Sequence, residues 1–189
     1  MDLYEALLSR RTIYAFEDRP VPGEALLRAL EAARWAPNHK LTEPWRFSVL
    51  GAETRAALGE VAARLGRDKA KGLSPEETER QVKRATEKVT KVPALVVVSQ
   101  VRTPNDALRA REDYAAVACA IHNLVLSLWS EGVGCQWGTG GVTRDPETYR
   151  LLGIDPEAEE IVGLIKAGYP ERVPPARRRP LEDVVRRLA

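Results

Sequence analysis

The stretch from Ala115 to Trp129 constrains this chain more than any other. It is apolar almost throughout, interrupted mainly by His122, Asn123 and Ser127, and it lies inside a longer helical pattern from about Asp106 to Glu131. Apolar residues fall on all sides of that pattern, so the spacing predicts a helix buried all round. The stretch is too short to cross a bilayer comfortably. A chain of 189 residues fits one domain, 1–189, and would struggle to cover such a helix by itself. Two copies sharing it would bury the remaining surface. The alternative is a monomer whose other helices wrap it.

The flanking pattern places this helix in an α+β chain around one sheet. Leu3, Leu7 and Leu8 mark one face of a first helix, Asp2 to about Ser9. A second helix follows Pro22-Gly23 and stops near Pro37, because the residue before proline avoids helical geometry. Trp45 to Leu50 reads as a strand and Thr54 to Leu65 as a helix. Ser74-Pro75-Glu76-Glu77 opens another helix with a serine cap and a proline in its first turn. Ala94 to Ser99 is a continuous, largely valine run, as expected of a central strand. Gly132 to Trp137 and Glu160 to Tyr169 read as further strands, with a short helix opening at Asp145-Pro146. The Arg-rich tail is predicted to end in a helix beginning near Pro180.

Charge and cysteine usage remove several classes of function. Lys and Arg number 29 against 27 Asp and Glu, for a net charge of +2, which gives no general reason to bind nucleic acid or a membrane surface. Cys119 and Cys135 form no disulfide framework and read as inert buried thiols. His39 and His122 are too scattered for a metal site. The N-terminus carries no apolar signal segment. A cytoplasmic protein without metal is expected.

Four segments carry chemistry, and each has a plain structural alternative. Arg10-Arg11-Thr12 can grip a phosphate and a polyol through charge-assisted hydrogen bonds, or it can simply complement a helix C-terminus. The loop Trp35-Ala36-Pro37-Asn38-His39 to Pro44-Trp45 is dense in groups that bind flat or polar ligands, or is a rigid turn with core aromatics. Gly132 to Gly141, with Trp137-Gly138-Thr139 inside it, lets a planar group approach backbone amides. Its spacing is neither a dinucleotide fingerprint nor a phosphate loop, and it could be only a glycine-rich turn. Arg177-Arg178-Arg179 beside Pro180 could hold phosphate or be a solvated basic tail.

In their order and spacing the four segments resemble the FMN-dependent nitroreductase family, and most closely its short branch with an Ala-Pro-x-His loop. The resemblance spans essentially the whole chain. It implies a nitroreductase-like fold: a central, mostly antiparallel sheet flanked by helices, in an intertwined homodimer with two FMN sites at the interface. By position, Arg10, Arg11 and Thr12 would hold the phosphate, ribityl chain and ring edge. Trp35 and His39 match loop positions reaching FMN from the partner chain. Trp137, Gly138 and Thr139 match the strand end beside the isoalloxazine. Arg178 matches the tail arginine on the phosphate, with Arg177 a second.

Three positions depart from the family. Tyr14 stands where many members have a basic residue near the flavin N1 and O2 edge, Leu41 where many have Asn, and Glu43 where many have Gln. Charge stabilising reduced flavin must then come from elsewhere, and Arg10 is the candidate. The implied activity is transfer of electrons from NAD(P)H to a nitroaromatic or quinone-like acceptor, with both substrates using one site in ping-pong order. The cofactor does the bond-making, so no protein acid, base or nucleophile is named. Two rivals are another flavin reaction on this scaffold, such as fragmentation or dehalogenation, and a polyanion-binding module. The first would be decided by a lid, for which residues 66–92 are the candidate, although their content names no ligand. The second is disfavoured because Glu171, Glu182 and Asp183 interrupt the basic tail.

Overall fold

The valine run at Ala94–Val101 forms an inner strand because it can bury both of its faces. The computed structural model describes residues 1–188, and this strand is β2 of a four-stranded sheet. The others are β1 (Trp45–Val49), β3 (Gly134–Gly138) and β4 (Glu159–Gly168). Their order is β1-β2-β4-β3, and all three pairings are antiparallel. Val96 and Val98 point into one core and Leu95 and Val97 into the other, as the two-residue period requires.

The first core lies under α2 (Gly23–Arg34) and α5 (Ala107–Ser130). The second lies under α3 (Ala52–Lys69) and α6 (Pro146–Leu152), with α4 (Pro75–Thr90) packed along α3. Ser74 and Glu77 make the reciprocal cap at the start of α4: Ser74 Oγ accepts from the Glu77 amide at 3.3 Å, and Glu77 Oε2 accepts from the Ser74 amide at 3.0 Å. Such a cap contributes about 1 kcal/mol. The α3–α4 hairpin closes tightly at Gly66, where a Cβ would sit 3.1 Å from that of Ala85 and 3.2 Å from the Val82 Cα.

Three expectations, on α5, on Cys119 and on the tail, are corrected. The long helix α5 is not buried all round within one chain: Ala116, Val117, Ala120, Ile121, Leu124 and Leu128 are buried, but Tyr114, Ala115, Cys119 and His122 are exposed. Small and apolar residues therefore ride on its outer face with nothing from the same chain over them. Cys119 is consequently an exposed thiol, whereas Cys135 is buried. In α1 (Leu3–Ser9) only Ala6 is buried, packing with Ile13 and Trp129, and Leu3, Leu7 and Leu8 remain exposed. Finally, the tail forms a single 3₁₀ turn, Leu181–Asp183, in place of a helix from Pro180. Leu181, Val184 and Leu188 are exposed, so no apolar burial stabilises a short helix there.

Candidate functional site

Residues 10–17 cross the open end of the sheet and bring the N-terminal motif to β3. The Ile13 amide donates to the Cys135 carbonyl at 2.9 Å, and Thr12 forms a parallel bridge with Cys135. Further on, Phe16 bridges Pro170 and the Glu17 amide donates to the Tyr169 carbonyl. The C-terminal tail thus leaves the sheet beside the segment that carries Arg10.

Alternation along this segment divides the double arginine. Arg10 and Thr12 line a cavity of about 470 Å³ with His122, Cys135, Trp137 and Thr139, a size suited to a cofactor. Arg11 turns the other way: its Nη1 donates to the Leu8 and Arg10 carbonyls, both at 2.8 Å. There it satisfies carbonyls at the end of α1, although its buried Nε has no partner among the described residues. Within this chain Arg11 therefore caps α1, and Arg10 and Thr12 are the residues of the motif that line the cavity.

Alternation along β3 makes a second division. Trp137 faces the Arg10 cavity, and the Nε1–Cδ1 side of its indole lies against Gly163, where a Cβ would collide with the ring. Trp137 Nε1 donates weakly to the Val162 carbonyl at 3.4 Å. Gln136 and Gly138 face the opposite side, toward α3 and α4. Gly138 and Thr139, neighbours in sequence, thus open onto different cavities.

The Arg10 charge dominates the inner cavity. Although His122 is exposed overall, partial desolvation at the cavity wall holds it below the usual histidine range, and the Arg10 guanidinium pushes it the same way. Burial pushes the Cys135 thiol up to about 12, with Arg10 opposing part of that rise. No carboxylate borders the cavity. One guanidinium, the hydroxyls of Thr12, Tyr114 and Thr139, and an indole form a donor set that matches a phosphate monoester joined to a polyol and a planar ring.

The other expected site residues lie elsewhere on the chain. Trp35 is exposed, donates from Nε1 to Glu31 Oε1 at 2.8 Å, and borders a shallow groove over the outer face of α5. His39 Nδ1 meets Glu112 Oε2 at 2.7 Å. Arg178 is exposed and donates to the Arg177 carbonyl at 2.7 Å. None of the three borders the Arg10 cavity of its own chain.

The His39 loop is nonetheless held firmly. Lys40, Leu41 and Glu43 all have positive φ, at 56°, 54° and 43°, a conformation that costs a non-glycine residue about 1–3 kcal/mol. The buried carboxylate of Asp113 offsets this by accepting from Thr42 Oγ1 and Thr103 Oγ1, each at 2.8 Å. Asn38 Oδ1 accepts from the Glu43 amide at 2.9 Å. Two of the departing positions, Leu41 and Glu43, thus sit in a strained, pinned loop, while Tyr14 is exposed.

Sequence reasoning missed a basic group on the outer side of β3. Lys166 stands directly across from Gln136 in the β3–β4 ladder, and its Nζ donates to Gln136 Oε1 at 2.9 Å. Lys69, Arg84 and Lys88 from the α3–α4 hairpin surround the same cavity. Residues 66–92, the candidate lid, are therefore a packed hairpin forming one cavity wall. A lone lysine inside the apolar run Ile161–Ala167 was the signal available in the sequence.

Among the described residues, no helix is long and apolar enough to cross a membrane, and no cluster of metal-ligating side chains occurs. Comparison with known proteins gives a consistent result. The model of the Nitroreductase family matches residues 7–169. The NAD(P)H nitroreductase-type protein YfhC of Bacillus subtilis is 35% identical over 184 residues, covering 96% of this chain and 91% of that protein. A crystal structure of a nitroreductase-like family protein from Bacillus cereus superposes with a TM-score of 0.83 at 28% identity, covering 100% of this chain and 96% of the other. A nitroreductase from Desulfovibrio desulfuricans, solved in complex with FMN, shares the fold with a TM-score of 0.75 at 24% identity over 98% of this chain and 96% of its own. This chain belongs to the nitroreductase family.

Proposed function

We propose that this protein is an FMN-dependent oxidoreductase that passes electrons from NAD(P)H to a small organic acceptor of nitroaromatic or quinone type. The observation that carries this reading is the inner cavity, where Arg10 and Thr12 meet Trp137 and Thr139 without a carboxylate. Membership of the family and the FMN complex of a relative support it. FMN, when bound, supplies the acceptance and release of electrons. The chain's own residues do the holding: Arg10 and Thr12 take the phosphate and polyol, and Trp137 and Thr139 border the ring. Arg178 swings onto the phosphate from a tail that leaves the sheet beside residues 15–17. Residues 1–189 act as one domain, in the cytoplasm.

The working unit in this reading is a homodimer. Its support is the outer face of α5 with the exposed Leu3, Leu7 and Leu8 of α1 beside it, an apolar surface of the kind that marks association. Trp35 and His39 then reach the cofactor of the second copy, which accounts for their distance from the Arg10 cavity of their own chain. The space lined by Gly138, Gly140 and Gly141 leaves room for nicotinamide and acceptor to use one position in turn.

The test is spectroscopic and hydrodynamic. The purified protein carries, or takes up, about one FMN per chain (the single cavity of a cofactor's size lined by Arg10) and scatters light as twice its 21.0 kDa chain mass. NAD(P)H bleaches the flavin, and steady-state data with a quinone give parallel double-reciprocal lines. Failure to bind FMN under any condition removes the proposal, and a monomer that binds FMN tightly removes its two-chain site.

A further inference from the structure

The cavity on the outer side of β3 has no role in the site described so far. It measures about 500 Å³ and lies between the α3–α4 hairpin and the β3–β4 edge of the sheet. Lys69, Arg84, Lys88 and Lys166 line it, with Gln81 and Gln136 as neutral hydrogen-bonding groups. No aspartate or glutamate borders it, although the chain has 27 of them. Among the described residues none of these four cations forms an ion pair, while Lys71 and Lys91 on the same hairpin each hold a carboxylate.

Four like charges around one concave space repel one another, and a low-dielectric wall focuses their field on whatever enters. Lys166 shows the cost. Burial, and after it the charge of Lys88, hold its ammonium below the usual lysine range, which is the signature of a cation lacking its counter-charge. Its Nζ has one partner, Gln136, leaving donor capacity directed into the cavity. A Cβ on Gly138 would come within 3.8 Å of that ammonium, so the charge stands beside the strand end assigned above to the flavin ring.

We propose that this outer cavity is an anion-binding pocket that selects an acceptor bearing a carboxylate or phosphate group. The anionic group sits among Lys88, Arg84 and Lys166, and the reducible ring lies toward Gly138. Binding of the anion stands on the cavity alone. Its identity as the electron acceptor rests on the flavin reading. The chemistry also admits the 2′-phosphate of NADPH, which the experiment separates from an acidic acceptor.

Affinity is measured by titration calorimetry on the FMN-loaded protein, using 4-nitrobenzoate and 4-nitrobenzamide as a matched acid and neutral pair. The acid is expected to bind at least about 10-fold more tightly, as charge-assisted hydrogen bonds predict. Lys88→Gln combined with Lys166→Gln removes most of that preference and leaves the amide within about 3-fold of its original affinity, since only the charged contacts are lost. Lys83→Gln, on α4 outside the cavity lining, leaves the preference intact. Turnover with NADPH and NADH is compared in the same variants. A selective rise in KM for NADPH, with the acid–amide preference unchanged, assigns the cations to the nicotinamide phosphate and overturns the acceptor assignment. Equal affinity for acid and amide in the unaltered protein overturns the pocket itself. A lowered flavin midpoint potential in the double variant without any change in acid binding also overturns it, because the cations then serve the flavin. Should the protein fail to take up FMN, the same titration on the flavin-free chain still decides whether the anion binds, so failure of the flavin reading is recorded separately.

Discussion

The two sides of β3 are built from alternate residues of one five-residue strand, yet they present opposite chemistry. Inward, Cys135 and Trp137 back a cavity in which one guanidinium, hydroxyls and an indole converge. Outward, Gln136 and Gly138 face a cavity ringed by four cations. The inner charge comes from a segment pinned to the sheet by backbone hydrogen bonds. Three of the four outer charges come from side chains on a helical hairpin. A strand that shows each neighbour a different face can thus separate the task of retaining a cofactor from that of choosing what reacts with it.

The largest effect that would sharpen this contrast concerns the phosphate. Arg10→Ala and Arg178→Ala should each weaken FMN by about 10- to 150-fold, from the loss of charge-assisted hydrogen bonds worth roughly 1.5–3 kcal/mol. Lys166→Gln, on the outer side, should change FMN affinity by less than about 3-fold, as expected for a residue that does not touch the phosphate. Flavin fluorescence quenching measures all three. Riboflavin, which lacks the phosphate, should be nearly indifferent to Arg178→Ala. Equal weakening of riboflavin and FMN would return Arg177-Arg178-Arg179 to a solvated basic tail.

A smaller effect compares glycines on two neighbouring strands, Gly163 of β4 and Gly138 of β3. Gly163→Ala drives a methyl into the Trp137 indole and should cost about 1–3 kcal/mol, the usual range for overpacking. Gly138→Ala meets nothing closer than 3.8 Å, so its stability should stay within about 0.5 kcal/mol of the parent. Urea unfolding of the two variants decides the matter. Equal losses would show that the indole does not rest on β4.

The smallest effect is electrostatic and confined to the inner side. His122 is held below its unfolded value of about 6.5 by partial desolvation and by Arg10. Its contribution to stability is therefore fully present above pH 6.5 and lost as pH falls through the depressed folded value. The melting temperature of the flavin-free protein should fall between pH 7.5 and 5.5 by less in His122→Gln than in the parent. An identical fall in both would mean that neither desolvation nor Arg10 holds His122 down in the folded chain.

Much of this architecture was legible in the sequence because periodicity and punctuation survive without tertiary context. Ser74-Pro75 opened a helix with the expected cap, and the valine run proved an inner strand. The four ordered segments pointed to the family that the comparisons then gave. Facing was less readable. Nothing in Arg10-Arg11-Thr12 says which arginine caps a helix and which lines a cavity, because that depends on the bridge from Thr12 to Cys135. The apolar outer face of α5 looked like interior for a related reason: composition does not say which face of a helix its own chain covers. Lys166 could have been noticed as a charge inside an apolar strand. Its companions Lys69, Arg84 and Lys88 looked like solvated helix residues until the hairpin was folded against β3.

The close approach of α3 and α4 at Gly66 bears on how such a protein can change over generations. The hairpin is locked by its glycine contact, its cap and the apolar core beneath it, none of which involves the side chains of Lys69, Gln81, Arg84 or Lys88. Those four positions stand like movable type in a fixed frame. Replacing them alters the charge and shape of the cavity while the frame keeps its dimensions, so its lining can change by one or two substitutions without repacking the helices that carry it.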